Sequence, residues 1–306
     1  MAIQTVRSLI HREIESMIDA HVHAWIETNQ KTENNFQFIK ESLIDFKSNG
    51  GYLVVDCSPF GCGRDGNKLL ELSEQTGIEI VCVTGFHKKD YYLDSGIWNF
   101  NLEKARIFFM EEINYGLKES QGLNRKIKAG VIKIPFTGYL EGEYKTLTDA
   151  AISASLKTNA PILVHTEQGL NIEVFTDYLE VKGILPGMVA LNHIDKRPDI
   201  KLHMRLAEKG YFLEYDTFLR EKYNPDKNTY DLIKKMIESG YGNSIMVGSD
   251  ISNYDMWKKI KENDGYGRFF KSIGEKISEM CSGSDSIKKL MGSNAKSFLS
   301  GLDRKN

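Results

Sequence analysis

Asp19-Ala20-His21-Val22-His23 places two imidazoles two residues apart at the end of an apolar-led stretch. In an extended strand, side chains two apart share a face, so His21 and His23 can enter one cavity while Val22 packs the other way. Neutral imidazole is the commonest protein metal ligand, and two on one strand make half a site. Alone, the pair also fits two satisfied core histidines, so its meaning depends on the other strand ends. Lys133 ends Ala129-Gly130-Val131-Ile132-Lys133, and His165 ends Pro161-Ile162-Leu163-Val164-His165. His193 follows Leu191-Asn192, and Asp250 follows Val247-Gly248-Ser249. Each has an ordinary alternative: a core histidine, a capping aspartate, a lysine reaching out from a strand end. Six such residues where apolar runs stop argue for one shared polar site.

The elements that would carry them recur along the whole chain. Short apolar runs, rich in Val and Ile, span 17–21, 51–56, 79–84, 130–134, 161–165, 188–193, 211–215 and 244–248. Their near-continuous apolarity suits parallel strands buried on both faces. Helical period or helix punctuation marks 35–46, 65–76, 102–117, 148–157, 172–181, 198–209, 228–239 and 269–280, with a further terminal helix at 284–299. Gly77 and Gly210 are placed to end helices, and Thr148-Asp149 reads as a capped start. Eight strands alternating with eight helices predict a (β/α)8 TIM barrel, with an open doubly wound sheet as the alternative. No linker, low-complexity tract or repeat divides residues 1–306, so a single domain with an additional C-terminal helix is expected. The longest connections, roughly 86–101 and 252–268, are rich in Gly, Tyr and charge, and on a barrel such loops build the site.

Composition narrows the functional classes. The 306 residues are 41% hydrophobic, enough for one large core, and the formal charge of −2 gives no sign of nucleic-acid affinity. No apolar run approaches the roughly 20 residues that span a bilayer, and the first residues meet charge too soon for a secretory signal. Cys57, Cys62, Cys82 and Cys281 form no CxxC pair and read as free thiols. A cytoplasmic enzyme acting on a small molecule, with no nucleic-acid or membrane partner, is the expectation.

The order of these residues resembles the amidohydrolase superfamily: HxH on strand one, Lys on four, His on five and six, Asp on eight. The neighbouring sequence resembles its phosphotriesterase-like branch. That likeness is carried by Val55-Asp56-Cys57-Ser58-Pro59-Phe60 with Gly63-Arg64-Asp65, and by Val83-Thr84-Gly85-Phe86-His87 with Tyr91-Tyr92. It continues in His165-Thr166-Glu167-Gln168-Gly169 and in Asn192-His193-Ile194-Asp195 with Arg197-Pro198-Asp199. It covers about residues 3–300. Family members often read Thr-His-Glu-His where this chain has Asp19-Ala20-His21-Val22-His23.

The resemblance implies two divalent metal ions, zinc by default with manganese, cobalt or iron as alternatives. One would be held by His21, His23 and Asp250, the other by His165 and His193. Lys133, a poor ligand as a protonated amine, would be N6-carboxylated by CO2 and bridge the two. The surplus positive charge lowers the pKa of a bridging water, giving a hydroxide nucleophile near neutrality. Asp250 would take its proton and pass it to the leaving oxygen.

Substrate choice falls to the loops. Tyr91 and Tyr92 follow strand three, where related lactonases place a tyrosine near the substrate carbonyl. Arg220 and Lys222 follow strand seven, and Arg268, in Gly265-Tyr266-Gly267-Arg268, follows strand eight. Barrels often bind phosphate there, and guanidinium grips phosphate oxygens in pairs. The wording resembles a subgroup of phospho-sugar lactonases, so a lactonase for a phosphorylated or otherwise anionic sugar lactone is expected. The alternatives are a neutral-lactone or organophosphate triester hydrolase, a TatD-like metal nuclease, and a barrel retained as a binding protein. The resemblance also suggests a homodimer.

Overall fold

The computed structural model describes residues 2–11, 16–25, 33–92, 96–122, 126–281 and 284–303; positions 93–95 of the first long connection lie outside them. Eight strands pair in parallel in chain order: β1 (Met17–Val22), β2 (Gly51–Asp56), β3 (Glu79–Gly85), β4 (Val131–Phe136), β5 (Ile162–Thr166), β6 (Val189–Asn192), β7 (Phe212–Tyr215) and β8 (Ile245–Val247). The two ends of the sheet meet beyond β8. Val22 bridges Ile251 in parallel, and the His23 amide donates to the Ile251 carbonyl at 2.9 Å. The amides of Ser249 and Asp250 both donate to the His21 carbonyl, at 3.1 and 2.9 Å. The result is the expected (β/α)8 barrel in a single domain.

Helices α1 (Glu33–Ser48), α2 (Gly66–Thr76), α3 (Leu102–Asn114), α4 (Gly142–Thr158), α5 (Ile172–Val181), α6 (Ile200–Lys209) and α7 (Thr229–Glu238) each follow a strand. Local chemistry explains their ends. The Asp65 and Asp199 side chains accept the first free amides of α2 and α6, and Gly77 and Gly210 leave them in left-handed conformation. Two expectations shift. Helix α4 starts at Gly142, six residues before the expected Thr148, and inside it Asp149 pairs with Lys145 one turn back instead of capping. The connection 252–268 contains a helix, α8 (Tyr254–Glu262), capped by Asn253, and α9 (Tyr266–Met280) begins before the expected 269.

The barrel interior follows strict alternation. Leu53 and Val55, Val81 and Val83, Val131, Leu163, Ala190 and Met246 fill one inner cluster, while Val54, Ile80, Cys82, Ile132, Val164, Leu191 and Leu213 face the helices. Terminal elements close the bottom. An antiparallel ribbon pairs Ile3–Gln4 with Leu9–Ile10, and Ile3 joins Ala295, Phe298 and Leu299 in the inner cluster. The expected single terminal helix is instead α10 (Ser284–Lys288), a wide turn at Lys289–Ser293, and α11 (Asn294–Leu299). Gly292 in that turn packs so tightly that a Cβ would stand 2.5 Å from the Ser16 carbonyl oxygen. Among the described residues, no helix is long and apolar enough to cross a membrane.

Gly85 ends β3 with φ +100°, and a Cβ there would lie 2.0 Å from the Lys133 carbonyl oxygen. Gly85→Ala should therefore force the β3–β4 seam apart beside Lys133. The expected loss is at least about 2 kcal/mol of stability, read by urea unfolding; an unchanged midpoint would contradict the close packing of this seam.

Candidate metal centre

Continuing each strand's inward alternation brings polar groups above the apolar layer. Val131 leads to Lys133, Leu163 to His165, Ala190 to Asn192 and Phe212 to Glu214. On β1 a register shift between Asp19 and Val22 breaks the pairing with β2 and His21 and His23 both reach the cavity. Gly248 makes room for them, since a Cβ there would stand 2.7 Å from His21 Cβ.

The six predicted ligands converge. Ring centroids of His21 and His193 are 4.8 Å apart, as are those of His165 and His193, and His21 and His23 are 5.6 Å apart. Asp250 Oδ1 lies 3.9 Å from His21 Nε2, and Lys133 Nζ lies 3.4 Å from the same nitrogen. His193 and Asp250 hold positive φ angles of 60° and 46°, strain of the kind concentrated at functional sites.

Each imidazole is gripped by its outer nitrogen. His21 Nδ1 lies 2.6 Å from Glu214 Oε1, His193 Nδ1 lies 2.6 Å from Asp216 Oδ2, and His165 Nε2 lies 3.0 Å from Glu167 Oε1. His23 Nδ1 meets Ser58 Oγ at 2.7 Å. Glu167, held low by His165 and Lys88, is an ionised carboxylate that only accepts, so His165 Nε2 carries the proton and the opposite nitrogen keeps a lone pair. In His165 that opposite nitrogen, Nδ1, is buried without a partner.

Charge points the same way. Burial, reinforced by Lys133 and the neighbouring imidazoles, holds His21, His23 and His193 well below the usual histidine range, and burial lowers His165 to about 4. All four are neutral and able to bind a cation. Beneath them Glu214 and Asp216 are fully buried and pushed up by desolvation; Glu214 Oε2 and Asp216 Oδ1 find no hydrogen-bond donor, and Asp216 Oδ2 meets His193 Nδ1 only as a close contact without hydrogen-bond geometry. Among the described residues, Lys133 is completely buried and meets no carboxylate within ion-pair distance. His21, His193 and Asp250 each offer a donor atom within 4.8 Å of the others. Neutral imidazoles over buried carboxyl groups fit divalent cations.

The six open onto a cavity of about 840 Å³, also lined by His87, Tyr91, Lys196, Arg220 and Lys222. Arg220 Nη2 donates to Asp250 Oδ2 at 2.7 Å, to its carbonyl at 2.9 Å and to Ser252 Oγ at 2.9 Å. Two residues expected at the substrate stay outside the cavity lining. The Tyr92 hydroxyl accepts the His87 amide at 3.0 Å while its ring packs edge-on against Trp98. Arg268 belongs to the first turn of α9 and pairs with Glu275 at 3.0 Å, because Tyr266 turns inward to donate to Asp19. Sequence reasoning gave no site role to Lys196, Glu214, Asp216 or Glu167, although Glu167 and Asp216 stand in stretches that carry the family resemblance and Glu214 is an acid within an otherwise apolar strand.

A barrel of this topology, with imidazoles and a carboxylate able to hold a metal gathered at its strand ends, is the frame of a class of hydrolases. The Phosphotriesterase family profile matches residues 2–299, and the chain belongs to that family of binuclear metal-dependent hydrolases. A phospho-furanose lactonase from Mycoplasmopsis synoviae is 30% identical over 81% of this chain and 75% of its own length. An aryldialkylphosphatase from Saccharolobus solfataricus is 25% identical over 79% of this chain and 76% of its own. In structure, a lactonase from Listeria monocytogenes superposes with a TM-score of 0.84 at 21% identity, covering 97% of this chain and 99% of that one.

Zinc titration of chelator-treated protein should saturate at two ions per chain. His193→Ala should weaken one of them at least about 10-fold with the far-ultraviolet circular dichroism unchanged. Equal affinity in the variant would remove His193 from the ligand set.

Proposed function

We propose that this hydrolase opens a sugar lactone carrying a phosphate or a similar anionic group. The carrying observation is the cation pair formed by Lys196 and Lys222, whose ammonium nitrogens lie 5.7 and 4.9 Å from the centroid of the Tyr223 ring. Both line the same cavity as the imidazoles, and among the described residues neither is in an ion pair. An aromatic ring holding two unpaired ammonium groups suits a dianion. The name of the Mycoplasmopsis synoviae relative supports the reading. So does an Escherichia coli phosphotriesterase homology protein with phosphate in its active site, which superposes with a TM-score of 0.83 at 20% identity over 94% of this chain and all of its own.

On this reading His21, His23, Lys133, His165, His193 and Asp250 hold two divalent ions, zinc by default, with Lys133 as its carbamate. Such a pair supplies a nucleophile from water at neutral pH and polarises the scissile carbonyl. The chain's own residues do the rest. Lys196 and Lys222 anchor the phosphate and so orient the ring ester, and Tyr91 lines the same cavity. The Asp250 carboxylate takes the proton of the attacking water and returns it to the leaving ring oxygen. Arg220 holds Asp250 Oδ2 in place for that transfer.

Asp250→Asn should keep its metal and lose kcat by roughly 10²-fold or more; full turnover in a metal-replete variant would end the shuttle role. Lys196→Ala and Lys222→Ala should each raise KM for a phosphorylated pentonolactone about 10-fold or more while leaving the unphosphorylated lactone unaffected, and Arg268→Ala should change neither. Equal effects on both lactones, or faster hydrolysis of a neutral aryl phosphotriester, would refute anion recognition.

A further inference from the structure

The loop after β3 is tied to the metal centre through one oxygen. Glu167 Oε1 accepts from His165 Nε2 at 3.0 Å and from Lys88 Nζ at 2.5 Å. Lys88 sits between the two cavity-lining residues of that loop. Its amide donates to His87 Nδ1 at 2.7 Å, and its ammonium lies 5.3 Å from the Tyr91 ring centroid. The His87 ring lies 4.7 Å from His165 and 4.6 Å from Tyr91. The rings of His165, His87 and Tyr91 therefore form a row from the centre to the cavity wall, with Lys88–Glu167 as a strap alongside it.

We propose that Glu167 is a positioning residue that couples occupancy of the metal site to placement of the substrate-facing loop 87–91. The inference rests on the reading of His165 as a metal ligand. Its first half follows from tautomer chemistry. Glu167 keeps the His165 proton on Nε2, leaving the buried Nδ1 lone pair for an ion; without the carboxylate, the proton is free to sit on Nδ1 and block it. Its second half follows from the shared oxygen. An ion that fixes the His165 ring also fixes Glu167, and with it Lys88 and the wall formed by His87 and Tyr91. Linkage makes the effect reciprocal: a substrate that holds the loop in place tightens the ion.

Both partners are partly exposed, at 39% for Glu167 and 23% for Lys88, so substitution should leave folding intact, as matched melting curves would show. The test uses zinc and cobalt titration of chelator-treated Glu167→Ala, Glu167→Gln, Lys88→Met and the Lys88→Met/Glu167→Ala double variant, with KM measured on a phosphorylated pentonolactone. Glu167→Ala should weaken one ion about 10-fold or more, alter the cobalt visible spectrum and raise KM. Glu167→Gln, whose amide oxygen still accepts from the ring, should recover most of the lost affinity. Lys88→Met should keep the wild-type cobalt spectrum and raise KM alone, and the double variant should match the KM of Glu167→Ala rather than add to it. Wild-type metal affinity in Glu167→Ala, or additive KM effects, would overturn the coupling. A wild-type protein that binds no zinc or cobalt would overturn the metal-centre reading itself.

Discussion

The His21 carbonyl accepts two amides, from Ser249 and from Asp250. That bifurcated contact is where the sheet becomes a barrel, and it also brings β1's imidazoles beside β8's carboxylate. Closure and site assembly are thus one event. Asp250 takes a left-handed backbone conformation at this seam, and Asp19, fully buried, ties the same seam by accepting the amides of His21 and Ser249 and the Tyr266 hydroxyl.

Below the seam, the structure tolerates a concentration of buried acid that an ordinary core would exclude. Burying a charge is costly unless it is paired. Glu214 lies on β7 and Asp216 directly after it, yet Glu214 Oε2 and both Asp216 carboxylate oxygens have no hydrogen-bond donor. The elevated carboxyl pKa values and depressed imidazole values have one physical source, desolvation with mutual repulsion among like groups. Cations in the cavity above would relieve both. The contrasting case is Arg64, which is fully buried but saturated by Glu112, Glu119 and the Val83 carbonyl and so is structural.

The fold was legible because a parallel barrel writes itself as apolar runs at regular spacing, and the candidate ligands because they sit where those runs stop. Both signals are local. What eluded the sequence depends on distance in space. Arg268 was placed on a loop because Gly265 and Gly267 resemble loop residues, but Gly267 is needed where α9 presses on the Asp45 carbonyl, and the helix carries Arg268 outward. Lys196 carries no local pattern that would place it, and only a short turn at Ile194–Lys196 brings it to the cavity. Tyr91 and Tyr92 are indistinguishable by composition, and only packing against Trp98 separates them.

The arrangement divides labour between rigid and adjustable parts. The cavity-facing imidazoles stand on or directly after strands, with their outer nitrogens met by Glu214, Asp216, Glu167 and Ser58. The groups that would meet a substrate's anionic end, Lys196, Arg220 and Lys222, occur in or beside short turns after β6 and β7. Arg220 links the two tiers, since one terminal nitrogen contacts the Asp250 carboxylate while the residue itself lines the cavity. On the proposed reading, a change in these turns alters which ester is accepted without moving the strand ends, which fits a family whose members include a lactonase and an aryldialkylphosphatase.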